Sequence, residues 1–280
     1  MMVRLVSALV VALLMAGTLA EAQRGFRGGR GRFGSESGAP PRFASETDFD
    51  GKFHLCRLMY QQVRQQNLGM GWGTDYPLAE INLSIRLSEL TKTTVAFDGE
   101  RNPSHLVVRP TDDALFQCPI VIASDPGSAG FSPADADRLR EYLEKGGFLW
   151  VDDFWGPYAW QSFATEIAKV LPPHEYPIKD LTPDHAIFRT LFPVAEIPQV
   201  PSINFWRGSG GETSEMGEES EKAHMAAITD PQGRIMVLMT HNTDIADSWE
   251  READDPQFFL HFSPNGYAVG LNAVLYAMTH

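Results

Sequence analysis

The run Gly146-Gly147-Phe148-Leu149-Trp150-Val151-Asp152-Asp153 restricts the fold of this chain more than any other segment. An unbroken apolar stretch that follows a glycine pair and ends in two carboxylates describes a strand covered on both faces and emerging at a polar edge. Upstream, Ser132-Pro133-Ala134-Asp135 has the order of a helix start. Ser132 suits the N-cap, Pro133 the first helical position, and Asp135 the first turn, where a negative charge meets the positive helix end. Leu139 and Leu143 face a core, and Gly146-Gly147 stop the helix. Helix, glycine pair, strand and carboxylates make one complete step of an α/β sheet. In such sheets ligands bind just beyond the carboxyl ends of the strands, so that edge is where a site is sought.

The same alternation runs along the chain. Strands are expected over 52–60, 106–108, 119–123, 223–229 and 234–240, the last two joined by the turn Asp230-Pro231-Gln232-Gly233. Helices are expected over 77–90, with Ile81, Ile85, Leu87 and Leu90 as its apolar residues, over 155–171, and over 267–278. Residues 174–223 read as irregular, with 208–221 a mobile surface loop. Crossover helices between apolar strands imply a mostly parallel sheet with helices on both faces, and 51–280 is long enough for one large α/β core.

Two segments precede that core. Residues 1–22 carry a basic start, an apolar run from Leu5 to Leu19 and a small-x-small end at Ala20-Glu21-Ala22, the pattern of a secretory signal peptide. The run is short for a spanning helix, so the expectation is a periplasmic or secreted protein with no transmembrane span after cleavage. Residues 23–50, rich in arginine and glycine, read as a disordered linker. Loss of the leader removes one base and one acid, which leaves the net charge at −13. That field disfavours nucleic acid, whose affinity rests on Lys and Arg neutralising phosphates. Cys56 and Cys118 are the only cysteines. In an oxidising compartment they can pair, while two buried free thiols are the plainer reading.

Several stretches resemble a known bacterial family. They are Trp72-Gly73-Thr74-Asp75-Tyr76-Pro77, Arg86-Leu87-Ser88-Glu89-Leu90-Thr91 after Asn82, Leu115-Phe116-Gln117-Cys118-Pro119, the segment from Leu139 to Leu149, and Asn242-Thr243-Asp244 with Trp249-Glu250. In that order they resemble the domain of unknown function 4159 family across about 52–280. The resemblance implies a three-layer flavodoxin-like fold, similar to the class I glutamine amidotransferase-like superfamily. It implies no activity.

Amidotransfer needs a cysteine on a tight strand-to-helix turn beside a histidine, and neither Cys56 nor Cys118 lies in one. A Gly-x-Ser-x-Gly elbow is also missing. The remaining chemistry is that of acids and histidines. Asp153 and Asp244, each following an expected strand, and His185 form the catalytic set that a glycan- or ester-directed hydrolase would use as base and acid. Asp152, Asn242, Asp75 and the aromatics Trp72, Trp155 and Trp249 form the ligand-binding set, since exposed rings hold sugars or peptides. For Asp152 or Asp153 the plainer role is to cap the helix from Trp155 onward. Asp244, Asp247 and Glu250 form an acidic stripe whose plainer reading is a solvated helix face. No metal ligand set and no cofactor is assigned. The preferred function is a non-catalytic binding protein of the cell envelope, with an envelope protein or a glycan-like molecule as partner, and the hydrolase is the alternative.

Overall fold

A computed structural model of the protein describes residues 38–66, 69–99 and 101–280. The expected leader and most of the expected linker lie outside them. The described residues fold around one sheet of seven strands in the order β3-β1-β4-β6-β9-β8-β7. These are β1 (Leu55–Leu58), β3 (His105–Val108), β4 (Val121–Ser124), β6 (Leu149–Asp152), β7 (Lys179–Asp180), β8 (His224–Thr229) and β9 (Ile235–His241), while β2 (Gln61–Gln62) and β5 (Ala129–Gly130) form a separate antiparallel pair. β3, β1, β4, β6 and β9 run parallel. Numbered among themselves they follow the flavodoxin order 2-1-3-4-5. β8 pairs antiparallel with β9, because the short turn after Thr229 allows only a hairpin, and β7 pairs antiparallel with β8 at the sheet edge.

Alternation along the buried strands sorts side chains to the two faces. Val121, Ala123, Leu149, Val151, Val237 and Met239 meet α2 (Pro133–Glu144) and α3 (Gly156–Val170) on one face. Ile120, Ile122, Phe148, Trp150 and Leu238 meet α1 (Leu78–Leu90) and α6 (Pro256–Thr279) on the other. The result is the three-layer flavodoxin-like architecture. Two short helices, α4 (Ile203–Ser209) and α5 (Asp247–Glu250), lie in the connections.

α2 starts as its sequence requires: Ser132 Oγ accepts the Asp135 N–H at 3.2 Å, and Asp135 returns the bond to the Ser132 N–H. At its end, a Cβ on Gly147 would stand 2.5 Å from the Tyr142 ring. Only glycine lets the chain pass under that ring into β6. Three expectations change. The last helix begins at Pro256 and runs through Pro264, a residue that reads in sequence as a breaker. Residues 42–44, upstream of Gly51, run along the outer edge of β3, with Ala44 N–H donating to Val107 O and Val107 N–H to Arg42 O. Cys56 and Cys118 are joined in a disulfide.

Candidate functional site

Three parallel strands end alike. The residue after β4 is Asp125, after β6 Asp153 and after β9 Asn242, with φ of 48°, 59° and 58°. Asp75, in the loop before α1, has φ 64°. Asp and Asn are the non-glycine residues that tolerate this left-handed region. Four of the five non-glycine positive-φ residues among the described residues thus gather at the carboxyl edge. The turn ends each strand abruptly and folds the polar side chain back over the sheet end.

Asp153, Asp75 and Asp244 converge there. One carboxylate oxygen from each lies within 4.8 Å of the other two. Asp75 belongs equally to a second set with Asp247 and Glu250 at the same spacing. The first set lines a cavity of about 40 Å³, completed by Thr74, Ser202, Ile203, Asn204, Glu215, Asp247 and Arg251. Since one water occupies about 10–15 Å³ by that measure, the cavity holds roughly three waters or one ion with part of its shell.

Each acid is held by its own support. Ser124 Oγ donates to Asp75 Oδ2 at 2.9 Å and accepts from Arg57 Nη1, while Arg57 Nε pairs with Glu80; Arg57 and Glu80 are fully buried beneath the cavity. Asp244 Oδ1 accepts the Asp247 N–H at 3.0 Å, and Asp247 Oδ2 accepts the Ile203 N–H at 2.9 Å. Glu215 Oε1 accepts the Ser202 N–H at 2.6 Å. Trp155 Nε1 donates to Asp153 Oδ1 at 3.1 Å. Arg251 pairs with Asp247 and Glu250.

So many acids in so little water resist ionisation. Burial first, and then the nearby carboxylates led by Asp75, hold Asp153 and Asp244 well above the usual carboxylate range. Burial and then Asp247 push Glu215 up to about 7 against its bond to Ser202. Without a ligand the pocket therefore holds its protons to higher pH than exposed carboxyls do. A cation entering it would add to the countercharge that Arg251 brings to one side of the pocket.

The remaining expected residues separate by place. Asp152 stands beside the pocket, not in it: it accepts the Thr240 hydroxyl and the Ala246 N–H, tying β6 to β9 and to the following loop. Burial pushes it up to about 7. Neither Asp152 nor Asp153 caps α3. Asn242 does so from β9, its Oδ1 accepting the Gly156 N–H at 2.8 Å while its Nδ2 donates to Lys222 O. Trp72 and Trp249 are core residues, 6% and 1% exposed, against Tyr76 and against Trp150 with Tyr267. Trp155 is buried and meets the site only through its indole N–H.

His185 is apart from Asp153 and Asp244. Its Nδ1 accepts the Ile187 N–H, its ring packs on Tyr276, and it borders a depression with Thr229 and Gly233 at the start of β9. Asp244 follows the other end of that strand, about 20 Å away at roughly 3.3 Å per residue. The stripe Asp244, Asp247 and Glu250 is not a solvated face, since these residues are 4%, 4% and 6% exposed. Nor is 208–221 a detached loop: Glu215 folds into the pocket and Ser220 is fully buried. Glu215, Ser202 and Arg251 escape sequence reasoning because they lie in irregular chain, where no periodicity marks an inward side.

The family model described as Domain of unknown function (DUF4159) matches residues 54–278. No curated protein matches the chain. Among the described residues no helix is long and apolar enough to cross a membrane.

Proposed function

This chain belongs to the DUF4159 family, and because that description carries no activity, we propose a function from its pocket: a binding domain that takes a small divalent cation of the oxygen-preferring class at Asp75, Asp153 and Asp244. The observation that carries this reading is the convergence of three carboxylates within 4.8 Å in a cavity of ion size. Hard cations such as Ca2+, Mg2+ and Mn2+ select carboxylate, carbonyl and water oxygens. Asp247, Glu215 and Ser202 also line the cavity, where their oxygens can join a cation's shell or hold its waters alongside their present partners.

The leader-like first residues support export, so we place this binding in the cell envelope, where a partner protein is compatible with a non-catalytic role. The flavodoxin order also supports kinship with the glutamine amidotransferase-like superfamily. The hydrolytic alternative gains nothing from the geometry: a cavity of about 40 Å³ does not admit a sugar ring, and His185 does not open onto it. The test is thermal unfolding of the full chain with Ca2+, Mg2+ or Mn2+. Binding to the native state at a hundredfold excess over Kd adds about 2.7 kcal/mol, a rise of several degrees. The reading predicts that rise in the natural protein and its loss in Asp153→Asn; equal curves with and without every ion overturn it.

A further inference from the structure

A second cluster lies at the same end of the sheet, on the face covered by α3. His224 and His241 stand opposite each other in the β8–β9 pair, with His224 Nε2 and His241 Nδ1 only 2.9 Å apart. The outer nitrogen of each ring is committed to an oxygen. His241 Nε2 donates to Gly156 O at 3.0 Å, and His224 Nδ1 donates to the Asp180 carboxylate at 3.2 Å. A carbonyl and an ionised carboxylate only accept, so these bonds place a proton on each outer nitrogen and leave the two inner nitrogens to share at most one proton between them.

At this distance the inner nitrogens are bridged by one proton or by another electrophile, since two bare lone pairs would repel. The arrangement is that of metal-ligating imidazoles, whose outer N–H is held by a carboxylate or backbone carbonyl while the inner nitrogen takes the metal. Packing already fixes both rings: Trp160 lies 5.1 Å from His224 and 4.9 Å from His241, and Phe154 lies 4.8 Å from His241. The His224 side chain is 31% exposed, which leaves a path from solvent and room for water ligands.

The spacing narrows the choice of metal. At metal–nitrogen distances of about 2.0–2.1 Å, two nitrogens 2.9 Å apart subtend about a right angle at the metal. A tetrahedral site would hold them about 3.3 Å apart. Right-angled nitrogen pairs belong to octahedral and tetragonal coordination and not to tetrahedral, and among the metals suited to imidazole Cu(II) and Ni(II) prefer the tetragonal form.

We propose that His224 Nε2 and His241 Nδ1 form a cis pair of imidazole ligands for a divalent transition metal of tetragonal preference, copper or nickel, with Asp180 and the Gly156 carbonyl as orienting partners. This site is separate from the acid pocket and does not depend on it. Copper(II) is the probe, added to the full chain and followed by calorimetry and electron paramagnetic resonance. The natural protein should bind one ion whose spectrum carries nitrogen splitting from two imidazoles. His224→Gln, at the more exposed ring, should keep the far-ultraviolet circular dichroism, lose at least tenfold in affinity and lose the two-nitrogen pattern. Asp180→Ala should weaken binding about 10- to 100-fold with both imidazoles still present. Equal copper affinity in the natural protein and His224→Gln overturns the proposal, as does an absence of binding by both copper and nickel, which would leave a shared proton between the rings.

Discussion

Asp153 combines a left-handed backbone, a partly buried carboxyl and four acidic neighbours, Asp75, Glu215, Asp125 and Asp152, that raise its pKa. Each costs stability in the metal-free protein, and the direction is testable. For Asp153, Asp244, Asp152 and Glu215 the folded pKa lies above the unfolded one. The folded state then holds more protons, so stability is lost as pH rises from about 4 through the raised folded values, about 7 for Asp152 and Glu215. His241 opposes this: burial depresses it to about 4, so its contribution is complete above about 6.5 and is lost as pH falls through 4. Burial also raises Asp125 to about 7 and lowers His54 and His185. The five acids titrate within the interval from pH 5.5 to 8 more fully than the three histidines, so the melting temperature of the metal-free protein should be higher at pH 5.5 than at pH 8. Asp153→Asn keeps the left-handed turn and removes one charge, so at pH 8 it should stabilise the metal-free protein by about 1 kcal/mol in urea titration. The acids after the strands were legible in the sequence because a buried apolar run must end at a polar edge. Their union with Asp75 was not, since nothing local sets the path of the loop before α1.

At the scale of elements, α3 depends on a cap from another strand. Its first N–H is held by Asn242, which also supports the Lys222 carbonyl and turns the chain out of β9. Asn242→Ala leaves a buried N–H without its acceptor and places alanine in the left-handed region, a loss of about 2–3 kcal/mol in chemical denaturation. Asn242→Gly should restore the backbone share and not the cap, and so fall between the two. The expectation of an aspartate cap from 152 or 153 misplaced this role because caps are sought next to the helix in sequence, whereas parallel neighbours bring the end of β9 beside the end of β6. The starts of α1, α2 and α3, the strand runs and the glycine stop of α2 were readable, being set by contacts within a few residues, whereas the start of α6 at Pro256 was hidden by Pro264 within it. The path of 174–223 was not. Its burial comes from single side chains such as Glu215 and Ser220, which carry no period.

Across the whole molecule, the disulfide and the site lie on different structural demands. Cys56 in β1 and Cys118 before β4 close a loop with a sequence separation of 62. Closing a loop of that length restricts the unfolded chain by about 4 kcal/mol in the loop-entropy picture. The double substitution of both cysteines by serine should lower stability by up to about that amount while leaving cation affinity unchanged, as judged by urea unfolding and calorimetry. The parallel order brings β4, β6 and β9 to a common edge, and the loop before α1 and the chain around Ser202 and Glu215 close over it. The most direct test of the resulting pocket is calorimetric titration of Mn2+ or Ca2+ at pH 6 in two buffers of different ionisation enthalpy, for the natural protein and Asp153→Asn. The account predicts saturable binding with release of protons from the pocket carboxyls, and at least a hundredfold weaker binding in the variant. Binding without proton release, or equal affinity in the two proteins, would contradict it.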